Sequence, residues 1–115
     1  MTNAELVEGV AREVLQHTQV RMGKKRTSTT AFFPIEDTEF GVMRQAFDPL
    51  NDMNDLFMVL DKFRYYKITK HIGGVDCILT SYAGETVIAE NCATEADAVL
   101  QAALKAKGEG DGKRT

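Results

Sequence analysis

The sequence has no tryptophan, only two prolines, two cysteines and two histidines in 115 residues. Each shortage excludes something. Cys77 and Cys92 cannot supply a disulfide framework or a CxxC-type zinc site. They read as two small, reduced core residues, as expected in a reducing cytoplasm. A catalytic thiol needs an activating base, and nothing in the sequence sets His17 or His71 beside either cysteine. There is no apolar run of the roughly 18 residues that a transmembrane helix needs. The first fifteen residues carry Glu5, Glu8 and Glu13 and lack an unbroken apolar stretch, so they are not expected to be a signal peptide. With 14 Lys and Arg against 17 Asp and Glu, the formal net charge is −3, which excludes a globally basic nucleic-acid binder. The composition is 43% apolar and 27% charged, and it fits one soluble domain. That domain is expected over residues 1–107, followed by a polar, glycine-rich, disordered tail over 108–115.

The patterning predicts an α+β fold. A first helix is expected over 3–17. Thr2 and Glu5 have the spacing of a capping box, and Leu6, Val7, Val10, Ala11, Val14 and Leu15 form one stripe. Residues 18–47 hold no period for long and read as a long basic and aromatic loop, punctuated by Gly23 and Pro34. A second helix is expected from Asp48–Pro49 or Asn51 to Lys62–Phe63, with Asp48, Asp52 and Asp55 favouring its N-terminal end. An antiparallel three-stranded meander follows. Its first strand runs from Arg64 to Ile72, with Tyr66, Ile68 and Ile72 on one face and Tyr65, Lys67, Thr69 and His71 on the other. Gly73–Gly74 reads as a two-residue turn of the primed type, and Ala83–Gly84 as the next turn. A last helix is capped by Thr94 and stopped by Gly108. The order is therefore α–(long loop)–α–β–β–β–α. The helices can share one sheet face, or the first can cover the other face to give an α-β-α sandwich.

Two basic clusters draw attention. Residues 21–30 hold four cations, no acid and four hydroxyls. Lys24, Lys25, Arg26, Thr27 and Ser28 suit phosphate oxygens through charge-assisted hydrogen bonds. The segment is not a Walker loop, because Thr18 stands where the upstream glycine belongs. Arg64 and Lys67 flank Tyr65 and Tyr66, a set that can stack a base and hold its phosphate. A ligand lying between the clusters would satisfy both. Phe32, Phe33 and Ile35, followed by Glu36, Asp37 and Glu39, form an apolar anchor with an acidic rim for a protein partner. The order from residue 48 also matches double-stranded RNA-binding domains, but Glu95 and Asp97 at the start of the last helix would repel phosphates. Asp48, Asp52 and Asp55 lack the further ligands a hard cation needs. No Ser/His/Asp or Cys/His set can be assembled. Neither a catalytic residue, a metal nor a cofactor is expected.

Residues 47–107 resemble the phage ABA sandwich domain family of small phage and prophage proteins. Phe47, Pro49, Asp52 and Asp55 match its F-x-P-x-x-D-x-x-D helix opening. Ala83–Glu90 and Ala93–Ala98 are similar to its turn and last-helix start, and it too places a helix at Glu5–Leu15. The basic loop departs from the family pattern. The resemblance implies a three-layer α-β-α arrangement and a phage origin, hence a bacterial host cytoplasm, and carries no activity with it. The expected function is a non-enzymatic, homo-oligomeric protein that sequesters a phosphorylated small ligand, such as a cyclic-nucleotide immune signal of the host. The alternative is an adaptor or inhibitor docking on a host enzyme through residues 31–39.

Overall fold

Leu6, Val7, Val10 and Ala11 are all buried, and α1 (Asn3–Glu13) turns this stripe inward. The computed structural model describes residues 2–25 and 28–113, with the side chains of 36–38 and 108–113 outside that description. At the start of α1 the Thr2 hydroxyl accepts the Glu5 N–H at 3.1 Å, and the Glu5 carboxylate accepts the Thr2 N–H at 3.3 Å. This is the capping box read from the sequence. The helix stops at Glu13 rather than His17, because the chain turns off through Gln16 at φ 62°. The His17 N–H then bonds back to the Ala11 carbonyl. Arg12 holds the departing segment by donating to the Thr18 carbonyl at 3.3 Å and the Val20 carbonyl at 3.0 Å.

The structure corrects the expectation of a long loop over 18–47. Strands β1 (Arg21–Met22), β2 (Ala31–Thr38) and β3 (Gly41–Phe47) form an antiparallel sheet in the order β1-β2-β3. Two features hid it. Nearly every residue of β3 is exposed, so the strand has no apolar period. Pro34 also argues against a strand. β1 pairs only with Phe32 and Ala31, however, so Pro34 lies on a stretch of β2 that has a neighbour on one side only. The register shifts between Pro34 and Glu36, a bulge of the kind that tolerates proline.

Helix α2 (Met53–Leu60) begins later than expected, with Asp52 as its N-cap accepting the Asn54 N–H at 2.9 Å. Asp48 closes the preceding turn, and its own N–H donates to the Asp55 carboxylate at 2.8 Å. The aspartates thus serve the helix start. Among the described residues no cluster of His, Cys, Asp and Glu could hold a metal ion.

The meander is present as β4 (Tyr65–His71), β5 (Gly74–Thr80) and β6 (Thr86–Cys92). Its first turn needs correction. His71 pairs with Gly74, so the loop residues are Ile72 and Gly73, and the positive φ, 138°, falls on Gly74. Gly74 lies against β6, where a Cβ would stand 2.6 Å from the Cys92 carbonyl oxygen. Val75, Cys77, Leu79, Ala89 and Cys92 are buried, whereas Tyr65, Lys67, Thr69 and His71 on the other face are exposed.

Helix α3 (Glu95–Lys113) lies on β5 and β6 and also touches α1 and α2. The Thr94 hydroxyl caps it by accepting the Asp97 N–H at 3.1 Å. It runs through Gly108, where a stop and a disordered tail were expected. A glycine costs a helix only about 1 kcal/mol and does not forbid it. Residues 114–115 of that tail lie outside the described residues. The chain is therefore α+β, with three helices and two three-stranded antiparallel sheets. One continuous core joins Phe33 and Phe47 of the first sheet to Cys77 and Leu79 of the second and to Val99 and Leu100 of α3.

Gly74→Ala combines a strained φ with a clash against backbone, so it is expected to destabilise the protein by about 1–3 kcal/mol or more. Gly84→Ala, at φ 93° but with open space around it, carries the strain alone and costs less. Chemical denaturation of the two variants checks the order.

Candidate functional site: a basic bowl on the first sheet

Strand alternation decides which side chains meet. Ala31 and Phe33 are buried, so Phe32 between them points to the opposite face. Arg21 stands opposite Phe32, and Arg44 stands opposite Pro34, the next position on that face. The β1–β2 connection curls over this face. The Gly23 N–H donates to the Thr30 carbonyl at 3.0 Å, and the Ser28 N–H donates to the Lys25 carbonyl at 2.9 Å. A Cβ at Gly23 would collide with the Ser28 side chain, so glycine lets the curl close as it does. The Thr29 hydroxyl ties the loop to the start of α2 through Asp48 at 3.4 Å.

The result is a cavity of about 460 Å³, in which Arg21, Lys24, Lys25 and Arg44 surround Phe32 together with Ser28 and Thr30. None of the four cations is paired with a described acidic side chain. Their charge is therefore available to an anion, and two are guanidiniums suited to bidentate contact with phosphate or carboxylate.

Of the residues picked out by sequence, Lys24, Lys25 and Ser28 line this bowl. Arg26 and Thr27 lie outside the described residues. Arg64, Tyr65, Tyr66 and Lys67 are exposed on or beside β4 of the other sheet and do not line it. The structure thus does not gather both cation clusters into one cavity. Among the expected partner anchors, Phe32 lines the bowl and Ile35 is 52% exposed. Phe33 is fully buried and is corrected to a core residue. Its ring stacks on His17 with centroids 3.7 Å apart and an interplanar angle of 11°, and it lies 6.0 Å from the Phe47 ring. Arg44 was missed because its place beside the loop depends on the β2–β3 pairing.

At the β4–β5 turn, polar side chains hold the fold. His71 Nδ1 accepts the Gly73 N–H at 3.1 Å, which leaves Nε2 to donate to Asp76 at 2.8 Å. Asp76 also accepts the Asn91 N–H at 2.9 Å, and these bonds hold its carboxyl below the usual range. Both imidazole nitrogens are thereby engaged at the β4–β5 turn. Burial pushes the Cys77 thiol up to about 11, which disfavours the thiolate. A second cavity, of about 700 Å³, runs along β6 beside Leu6 and Leu104, where Lys105 Nζ donates to the Ile88 carbonyl at 3.2 Å. Among the described residues no helix is long and apolar enough to cross a membrane. No protein-family model, no curated protein and no solved structure matches the chain.

His17 anchors the sheet that carries the bowl, and its pKa is pushed below 6.5 by burial, with a smaller push from the Lys62 charge. Above that value the ring is neutral in folded and unfolded chains alike. As pH falls through it, the unfolded chain takes up the proton first and stability declines. The decline levels off once the folded form is protonated as well. His17→Phe is expected to flatten this acid-side loss between about pH 7 and pH 5, as read by denaturation midpoints.

Proposed function

We propose that the chain binds and sequesters a phosphorylated small ligand of nucleotide type in the basic bowl, without chemical conversion. One observation carries this reading: four cations without described acidic partners, with two hydroxyls, are gathered around an aromatic ring in one cavity. Arg21 and Arg44, held on paired strands, take phosphate oxygens through two parallel N–H donors each. Lys24 and Lys25 add charge, and Ser28 and Thr30 add hydrogen bonds. Phe32 offers a flat apolar surface to a planar group such as a base. The volume lies in the range of ordinary small-molecule sites.

Within this proposal the ligand belongs with the cyclic-nucleotide immune signals of a bacterial host, and the chain acts as a phage or prophage sponge in the host cytoplasm. The resemblance of residues 47–107 to the phage ABA sandwich family, with its three-layer arrangement, supports that setting. The four motif residues have structural duties that agree with such a resemblance: Phe47 and Pro49 are buried, Asp52 caps α2 and Asp55 holds Asp48. The adaptor alternative loses Phe33 to the core and retains Ile35 and the end of the β2–β3 hairpin.

Calorimetric titration with a cyclic dinucleotide, a mononucleotide and inorganic phosphate tests the reading. Arg44→Ala and Lys24→Ala/Lys25→Ala are each expected to weaken binding at least about tenfold, or ~1.4 kcal/mol. Tyr65→Ala, on the other sheet, is expected to leave it unchanged. Affinity should fall as salt rises from about 50 to 500 mM. Binding indifferent to Arg44→Ala, or no binding by any of the three probes, overturns the assignment.

A further inference from the structure

The β2–β3 hairpin carries opposite charge at its two ends. Its base holds the bowl, with Arg21, Lys24, Lys25 and Arg44. Its far end holds Glu36, Asp37 and Glu39 and no cation. Between and beside these acids, large apolar side chains stand in the open: Ile35 is 52% exposed, Val42 50%, Met43 52% and Phe40, at the tip, 94%. Exposure falls on successive residues of β3, from Gly41 to Arg44, so among the described residues neither side of this strand is covered at that end. A two-stranded ribbon is marginally stable by itself, and an apolar cluster of this kind marks an interaction surface.

The two ends are complementary in charge, and both belong to one sheet. From Phe32 to residue 38 the strand extends roughly 20 Å. A two-fold axis across the ribbon near the Pro34–Arg44 pair would set the acidic, apolar tip of one copy over the basic bowl of the other, and the reverse. Such an isologous contact satisfies both ends twice with a single geometry. We propose that the occupant of this surface is a second copy of the chain, which docks by hairpin exchange of charge, acidic tip over basic bowl. The tip then covers the Phe32 ring, removes Ile35, Val42 and Met43 from water, and sets three carboxylates against the four cations. An anionic ligand and the partner's tip compete for the same bowl, so ligand binding separates the copies.

The test is a charge swap. The wild-type chain is expected to dimerise at micromolar concentration by sedimentation velocity, and less so at high salt. A tip-reversed variant (Glu36→Lys, Asp37→Lys, Glu39→Lys) and a bowl-reversed variant (Lys24→Glu, Lys25→Glu, Arg44→Glu) are each expected to be monomeric. Mixed together they should form a heterodimer, since each positive surface then meets a negative one. Thermal unfolding checks that each variant is folded; Lys24, Lys25, Glu39 and Arg44 are exposed positions. A wild-type monomer at every concentration tried, a dimer indifferent to either reversal, or a mixture that stays monomeric overturns the proposal. The ligand reading is tested separately on the monomeric tip-reversed variant, whose bowl is intact. Loss of ligand binding there with a restored heterodimer defeats only the earlier reading. Binding there without a heterodimer defeats only this one.

Discussion

The contact on which the site depends is the stack of Phe33 on His17, backed by Phe47. The first sheet has few other ties to the helices. Its β2 and β3 strands meet the core through Ala31, Phe33 and Phe47, and Gln45 reaches Met58 of α2, while Ile35 and the residues from Glu39 to Arg44 are exposed. A buried aromatic pair commonly contributes several kcal/mol through area and geometry. Here that contribution does more than stabilise. It sets the roll of the ribbon, and so determines that Phe32, one residue along, points outward into the bowl. Arg12 supports the same arrangement by pinning the Thr18 and Val20 carbonyls just before β1.

The two sheets divide the work by their surroundings. The second sheet is flanked by α3, and its buried face of Val75, Cys77, Leu79 and Ala89 forms the centre of the core. At its first turn His71 and Asp76 are held in hydrogen bonds with each other and with the Gly73 and Asn91 N–H groups. The first sheet meets the core over a smaller area and holds most of its charge at the surface. Binding groups can be carried there at little cost to stability, because exposed cations lose no hydration on folding. The glycine curl at Gly23 and the bulge after Pro34 shape the bowl, and no described polar side chain is buried in doing so.

Charge arrangement gives this sheet its chemical character. A net charge of −3 for the whole chain conceals a local concentration of cations at one end of the hairpin and of acids at the other. Local fields of this kind govern association with charged ligands and copies far more than net charge does, because screening confines each to about a Debye length.

The sequence by itself determined those features that local physics dictates. The α1 stripe and its Thr2–Glu5 capping box, the Thr94 cap of α3, the three strands of the meander, and the Asp-rich start of α2 were all legible, because periodicity, turns and capping act over a few residues. The run of cations over 21–25 was legible from composition alone. Only the tertiary structure decided that residues 18–47 are strands. Their pairing is non-local, Pro34 and the exposed β3 erase the usual alternation, and the stabilising contacts come from His17 and from the core rather than from the segment itself. Only the tertiary structure separated Lys24 and Lys25 from Tyr65 and Lys67, and brought Arg44 and Phe32 to the bowl instead. The physical reason is that a strand's neighbours are chosen by register across the sheet, and register is set by which face the rest of the molecule buries.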